Sequence, residues 1–149
     1  MTVWRPPSGI RVKALGLHWR NDALLVMDVL DDAGNLKGVR PLGGTVEFGE
    51  TWQVTLVREF KEELDIDVQI TGAPMVFENI FTHEGSVGHE VLFLADVAFP
   101  KGAFEGQKEL IFAEDSGELC RASWWTLDDL KAQNIPLYPD GLMDALAKR

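Results

Sequence analysis

One cysteine, Cys120, is all the sequence offers, so an intramolecular disulfide framework is excluded. Long apolar runs are also missing. None exceeds five residues, the longest being Ala23–Met27 and Val91–Ala95. A membrane-spanning helix needs about 20, so a helical membrane protein is excluded. The first residues, Met1 to Pro7, contain no apolar stretch of secretory-signal length, and a cytoplasmic location is expected. Basic residues are scarce: 14 Lys and Arg stand against 24 Asp and Glu, a net charge of −10. That charge repels a phosphate backbone, so stable nucleic-acid binding is not expected. It does not exclude smaller anions, because a bound cation reverses the local sign. The sequence has no internal repeat and no low-complexity tract.

What is present suits a globular chain. Apolar residues make up 46% and charged residues 26% of the 149. That length predicts one domain over residues 1–149, with 1–9 an irregular lead-in marked by Pro6, Pro7 and Gly9. Strands are expected over Ile10–Trp19, Ala23–Leu30 and Leu36–Arg40, separated by turns at Arg20–Asp22 and Asp31–Asn35. Pro41–Gly49 reads as a loop and Glu50–Leu64 as the best helix, with Val57, Phe60 and Leu64 as its apolar face and Leu56 flanking them. Acidic Glu50 suits the positive first turn of that helix. Ile66–Asn79 and Val91–Phe99 have strand character, with Thr82–His89 in a loop between them. Lys101–Glu118 gives no clear signal. Ala122–Thr126 reads as a strand, and Leu127–Ala132 and Asp140–Ala147 as terminal helices. The sum is a mixed α/β domain.

The chemistry concentrates around that central helix. At about 100° per residue, Glu59, Glu62 and Glu63 cluster within roughly a third of the circumference, centred about 140° from the apolar face. Three neighbouring carboxylates repel one another, and Arg58 alone cannot neutralise them. Hard divalent cations take oxygen ligands, and Mg²⁺ in particular is held by few carboxylates together with substrate phosphates and waters. Gly43-Gly44 just ahead lets the backbone come close. A solvated acidic face, balanced by Lys61 and Arg58, is the plainer interpretation of such a helix taken alone.

The wider spacing decides against it. From Gly44 the order is five residues, Glu50, seven residues, then Arg58-Glu59-Phe60-Lys61-Glu62-Glu63-Leu64-Asp65-Ile66. This resembles the Nudix box, Gly-x5-Glu-x7-Arg-Glu-U-x-Glu-Glu-x-Gly-U, with U bulky and apolar. Eight of its nine specified positions fit, across 23 of 149 residues. Chance agreement at a given start is on the order of 10⁻⁸. The departure is Asp65 in place of glycine. That position ends the helix, where a left-handed residue is favoured, and Asp adopts that conformation at about 1 kcal/mol.

The resemblance implies a Nudix-type α/β/α sandwich with a central mixed sheet. It implies an Mg²⁺- or Mn²⁺-dependent pyrophosphohydrolase acting on a nucleoside diphosphate linked to another moiety: an NDP-sugar, ADP-ribose, a dinucleotide or a nucleoside triphosphate. Carried over by position, Glu59, Glu62, Glu63 and the Gly43 carbonyl would be metal ligands. Glu59 would alternatively be the general base, and Arg58, Glu50 and Gly44 would support the site. Some members use a distant loop acid as base or extra ligand, for which Glu114, Asp115 and Glu118 are candidates. Many members are dimers, and an exposed strand edge or the N-terminal segment could serve as a homodimer interface. The alternative is a non-catalytic Nudix-like sensor of a nucleotide metabolite; in that class a box glutamate is expected to be lost, and all three are present. Where a proline about sixteen residues past the box would suggest ADP-ribose, Thr82 stands instead.

Outside the box, His83 and His89 could touch substrate or metal, though exposed loop histidines are commoner. Trp4, Trp19, Trp124 and Trp125 are better read as packing residues than as base-stacking ones. Arg11, Arg20 and Arg40 could each reach a phosphate, but a surface role is favoured for each. Tyr138, between Pro136 and Pro139, is expected to pack.

Overall fold

The computed structural model describes residues 3–114 and 116–149. In chain order the elements are β1 (Ile10–Leu17), β2 (Trp19–Arg20), β3 (Ala23–Leu30), β4 (Leu36–Arg40), β5 (Leu42–Thr45) and α1 (Trp52–Leu64). There follow β6 (Gln69–Ile70), β7 (Met75–His83), β8 (Ser86–Ala98), β9 (Glu109–Ala113), β10 (Leu119–Thr126), α2 (Leu127–Ala132) and α3 (Leu142–Ala147). The architecture is mixed α/β, with two curled sheets and few helices, as the sequence predicts. Among the described residues no helix is long and apolar enough to cross a membrane. The residues fall into two compact units.

The first unit is the chain up to His18 together with Leu42–Gln107. Its sheet is mixed, in the order β5-β1-β8-β6, with β7 also on β8. β1 and β8 run parallel, and the other pairs are antiparallel. β5 is therefore an edge strand. Ala14 faces Gly44 and Leu15 faces Gly43 across the β1–β5 ladder. Helix α1 lies over the face that carries Gly16. A Cβ there would fall 2.6 Å from the Phe60 ring, so the glycine is the socket for that ring. Phe60 also meets Phe99 edge to face.

The second unit is Trp19–Pro41 with Lys108–Arg149. Its sheet runs β2-β3-β10-β9, with β4 on β3, and is wholly antiparallel. The segment after α2 ties back to β4: Val39 N–H donates to the Pro136 carbonyl at 2.9 Å, and Tyr138 N–H to the Val39 carbonyl at 2.8 Å. Tyr138 packs over Gly38, as expected of a residue in a rigid turn.

Several sequence expectations need correction. Pro41–Gly49 is not all loop, because Leu42–Thr45 adds β5 to the sheet edge. The loop expected over Thr82–His89 is a tight hairpin. Glu84 and Gly85 both have positive φ, at 50° and 82°, which matches the right-handed twist of the flanking strands. Its register, His83 against Ser86, extends β8 to thirteen residues. The indistinct 101–118 stretch holds β9. The helix begins at Trp52, not Glu50, because Thr51 caps it: its hydroxyl accepts from Val54 N–H at 3.2 Å. Its buried face is Thr55, Leu56 and Phe60, while Val57 is 38% exposed. Thr55, a buried polar residue, hides that stripe from a reading based on hydrophobicity alone.

Candidate functional site

The site begins in the turn before α1. Glu50 N–H donates to the Glu47 carbonyl at 2.9 Å, and Glu47 N–H donates to the Glu50 carboxylate at 3.2 Å. Gly49 sits between them with φ 90°, a conformation that glycine adopts without strain. This turn aims the Glu50 side chain back along α1 instead of leaving it in the first helical turn.

Glu50 meets Arg58 there. The guanidinium donates Nε–H to one Glu50 oxygen at 2.7 Å and Nη2–H to the other at 2.9 Å. Thr55, fully buried, donates its hydroxyl to the same carboxylate at 2.9 Å. The paired arginine, together with these further donors, outweighs desolvation and holds the Glu50 carboxyl at about 2, against an ordinary value of 4.5. Arg58 is correspondingly shifted upward, chiefly by its hydrogen bond to Glu50. Glu50 thus stays ionised at any working pH, and its position is fixed at both oxygens.

The remaining edge of the guanidinium reaches the glutamate cluster. Nη1 donates to Glu59 at 3.0 Å and approaches Glu62 at 3.3 Å. Nη2 also reaches the Thr45 carbonyl at 3.3 Å, which ties α1 to the end of β5. One cation therefore serves Glu50, Glu59 and Glu62, with Glu47 at 4.0 Å. The carboxylates outnumber it, as the sequence suggested.

Gly44 explains how Glu59 sits. A Cβ on Gly44 would overlap the Glu59 carboxylate, so the missing side chain is the space that the carboxylate occupies. Gly43 is constrained differently: its φ is 155°, and a Cβ would collide with the backbone carbonyl of Ala14. Glu59 is largely enclosed, with 14% of its side chain exposed, whereas Glu62 is open at 42%. Glu63 is half-buried on the same helix. An all-oxygen donor set with a carboxylate seated over a glycine fits a hard divalent cation. At the helix end Asp65 is left-handed, φ 55° and ψ 40°, and its N–H donates to the Lys61 carbonyl at 3.0 Å. The substitution of Asp for Gly leaves the cap intact.

The other candidates have defined places. Glu114 and Glu118 belong to the turn between β9 and β10, where Glu114 N–H donates to the Glu118 carbonyl at 2.9 Å. Asp115 lies outside the described residues. His83 is buried against Trp4 in an edge-to-face contact at 5.3 Å, and His89 lies 3.4 Å from Glu78. Arg20 stacks over Trp124 at 3.5 Å, Trp125 donates to Ser123 at 2.9 Å, and Arg40 donates to the Pro41 carbonyl at 3.1 Å. Arg11 pairs with Glu90 at 3.0 Å. Sequence reasoning missed Thr55 and Thr45. The Thr55 hydroxyl lies on the buried side of α1, one turn after Thr51, and that position was its only signal.

Comparison with known proteins gives a consistent picture. Residues 10–145 match the NUDIX domain pattern. The fold resembles the E. coli ORF135 protein, with 20% identity, a TM-score of 0.63, and coverage of 93% of this chain and 89% of that one. It also resembles a NUDIX hydrolase from Nitrosomonas europaea: 16% identity, TM-score 0.63, coverage 93% and 87%. A third likeness is to a structure described as MutT from Aliivibrio salmonicida and Vibrio cholerae, with 20% identity, TM-score 0.52, and coverage 92% and 96%. At these identities the structural likenesses establish the fold alone. No curated protein matches the chain by sequence.

Proposed function

The chain belongs to the NUDIX family and is a hydrolase of phosphoric anhydrides, and on that premise we propose that it is a divalent-metal-dependent pyrophosphohydrolase of nucleotide derivatives. The reading treats residues 1–149 as one domain. The substrate class is a nucleoside diphosphate joined to a further group, whether sugar, nucleotide or phosphate. The observation that carries the site assignment is the seat of Glu59 over Gly44, braced by Arg58 at 3.0 Å.

In this reading Glu59, Glu62, Glu63 and the Gly43 carbonyl would hold Mg²⁺ or Mn²⁺. When bound, the metal would neutralise the anhydride oxygens and lower the pKa of a coordinated water. The chain's own residues do the rest. Arg58, held at two points by Glu50, braces the carboxylate of Glu59 at 3.0 Å and reaches Glu62 at 3.3 Å. Glu62, more exposed than Glu59, can turn toward an incoming ligand. Glu59 would alternatively take the proton from the attacking water.

The test is a panel of NDP-sugars, ADP-ribose, dinucleoside polyphosphates and nucleoside triphosphates, with Mg²⁺ or Mn²⁺ and chromatographic detection of products. Cleavage of one class, abolished by Glu62→Gln, by Glu63→Gln and by a chelator, is the expected result. Metal-dependent nucleotide binding without cleavage of any member would replace this reading with a sensor.

A further inference from the structure

The face of the first unit's sheet that turns away from α1 carries charge where the rest of that stripe is apolar. Residues of a strand alternate between faces, so Arg11, Lys13, Leu15 and Leu17 share this one, while Ala14 and Gly16 lie under the helix. Leu15 and Leu17 are fully buried. Toward the start of β1 the same stripe changes to two cations. In the parallel register Arg11 lies beside Glu90 of β8. Glu90 is 8% exposed, with Arg11 at 3.0 Å and Lys13 at 3.5 Å. The Trp4 ring lies 5.6 Å from the Arg11 guanidinium, and Asn79 of β7 follows Glu90 in the same row.

Stability does not explain this cluster. Removing such groups from water costs as much as their attraction returns, and apolar residues of like volume would hold the strands together at least as well. Location supplies a reason. Lys13 stands beside Thr45 on β5, and Val46 N–H donates to the Val12 carbonyl at 2.8 Å as the chain leaves for the Glu47–Glu50 turn. β5 is an edge strand, so this face and the side on which Glu59 sits over Gly44 meet around that edge.

We infer that Arg11 and Lys13 form a second anion subsite, for a phosphate of the substrate that the glutamate centre does not hold. Glu90 is its positioning residue. It orients the Arg11 fork so that one edge pairs with the carboxylate and the other stays available for a phosphate oxygen. The substrate then carries more phosphate than the two groups flanking the cleaved bond. That favours nucleoside triphosphates or dinucleoside polyphosphates over NDP-sugars. The inference rests on the proposed pyrophosphohydrolase reading for its substrate and on the Arg11–Glu90–Lys13 geometry for its site.

The test uses the full-length protein in Mg²⁺, with inorganic tripolyphosphate and pyrophosphate as calorimetric probes. Arg11→Met would leave the buried Glu90 with only Lys13, at 3.5 Å, so the charge-balanced double variant Arg11→Met/Glu90→Gln is compared with Lys13→Met and Arg11→Lys. Tripolyphosphate affinity is expected to fall at least tenfold in the double variant and in Lys13→Met, and less in Arg11→Lys. Pyrophosphate affinity should change less than threefold. With nucleoside triphosphate as substrate, KM should rise tenfold while kcat stays within twofold. A double variant with wild-type Tm and unchanged tripolyphosphate affinity overturns the inference and leaves the pyrophosphohydrolase reading standing. If the double variant does not fold, unchanged affinity in both single variants overturns it equally. A wild type that binds tripolyphosphate through Arg11 but cleaves no nucleotide keeps the subsite and removes the reading on which its substrate rests.

Discussion

A methyl group at Gly44 tests the site assignment with little risk to the fold. The Gly44 backbone has no positive φ, so alanine is conformationally acceptable there. Its Cβ, however, would overlap the Glu59 carboxylate and lie 2.7 Å from Glu59 Cγ. Non-bonded carbons settle at about 3.5–4.0 Å, so the side chain must retreat by roughly 1 Å. The obstacle is the end of a flexible side chain, so the backbone need not move. Stability should change by less than about 1 kcal/mol. Function should not be spared. A displacement of about 1 Å in a positioned group costs on the order of 100-fold, which is about 2.7 kcal/mol of activation free energy.

The neighbouring glycine supplies the contrast. A Cβ at Gly43 would meet the Ala14 carbonyl, which is backbone within the β1–β5 ladder and cannot step aside. Gly43→Ala should therefore unfold at a clearly lower temperature, and Gly44→Ala should not. The assay pairs thermal unfolding with kcat/KM on the substrate the panel identifies, and with Mn²⁺ affinity by titration. Gly44→Ala is expected to keep its Tm and to lose about 100-fold in kcat/KM and 10-fold or more in Mn²⁺ affinity. Full activity and full metal affinity in a folded Gly44→Ala protein would refute the role given to Glu59.

The brace predicts a pH dependence. Because the Glu50 carboxyl is held at about 2 in the folded chain, against 4.5 ordinarily, its stabilising contribution is complete above pH 4.5 and is lost as pH falls toward 2. Tm measured between pH 5 and 2 should fall less steeply in Glu50→Gln than in wild type, and parallel curves would contradict the pairing. Asp65→Gly should stabilise the chain by about 1 kcal/mol by relieving a left-handed non-glycine residue, raising Tm by roughly 2–4 °C. Phe60→Ala should cost about 3–5 kcal/mol in chemical denaturation, because the ring fills the socket above Gly16. Val57→Ala, on the exposed side of the same helix, should stay within about 0.5 kcal/mol.

The unequal legibility of this chain has a physical origin. Glu50, Arg58, Glu59 and Glu62 could be read because their chemistry depends on residue type at fixed spacing along one helix and the turn that leads into it. The structure joins the three glutamates through the single guanidinium of Arg58. Asp65 was legible for the same reason: a helix end with no room for a right-handed residue narrows the choice to a few side chains. The buried face of α1 was misjudged because Thr55 is buried for its hydroxyl, which serves Glu50, and no hydrophobicity pattern registers that. The β7–β8 hairpin was missed because its polar residues, from Thr82 to His89, look like loop when considered singly. Only the pairing of His83 with Ser86 makes them strand. β9 failed in the opposite sense: Ile111 is as apolar as its buried neighbours Leu110 and Phe112, so no alternation marks it. Gly44 was read as a place where backbone comes close. The structure gives it a more specific use, as the volume that receives the Glu59 carboxylate. A glycine retained for the volume it leaves empty exerts its effect through a residue fifteen positions away, and local spacing alone cannot reveal that partner.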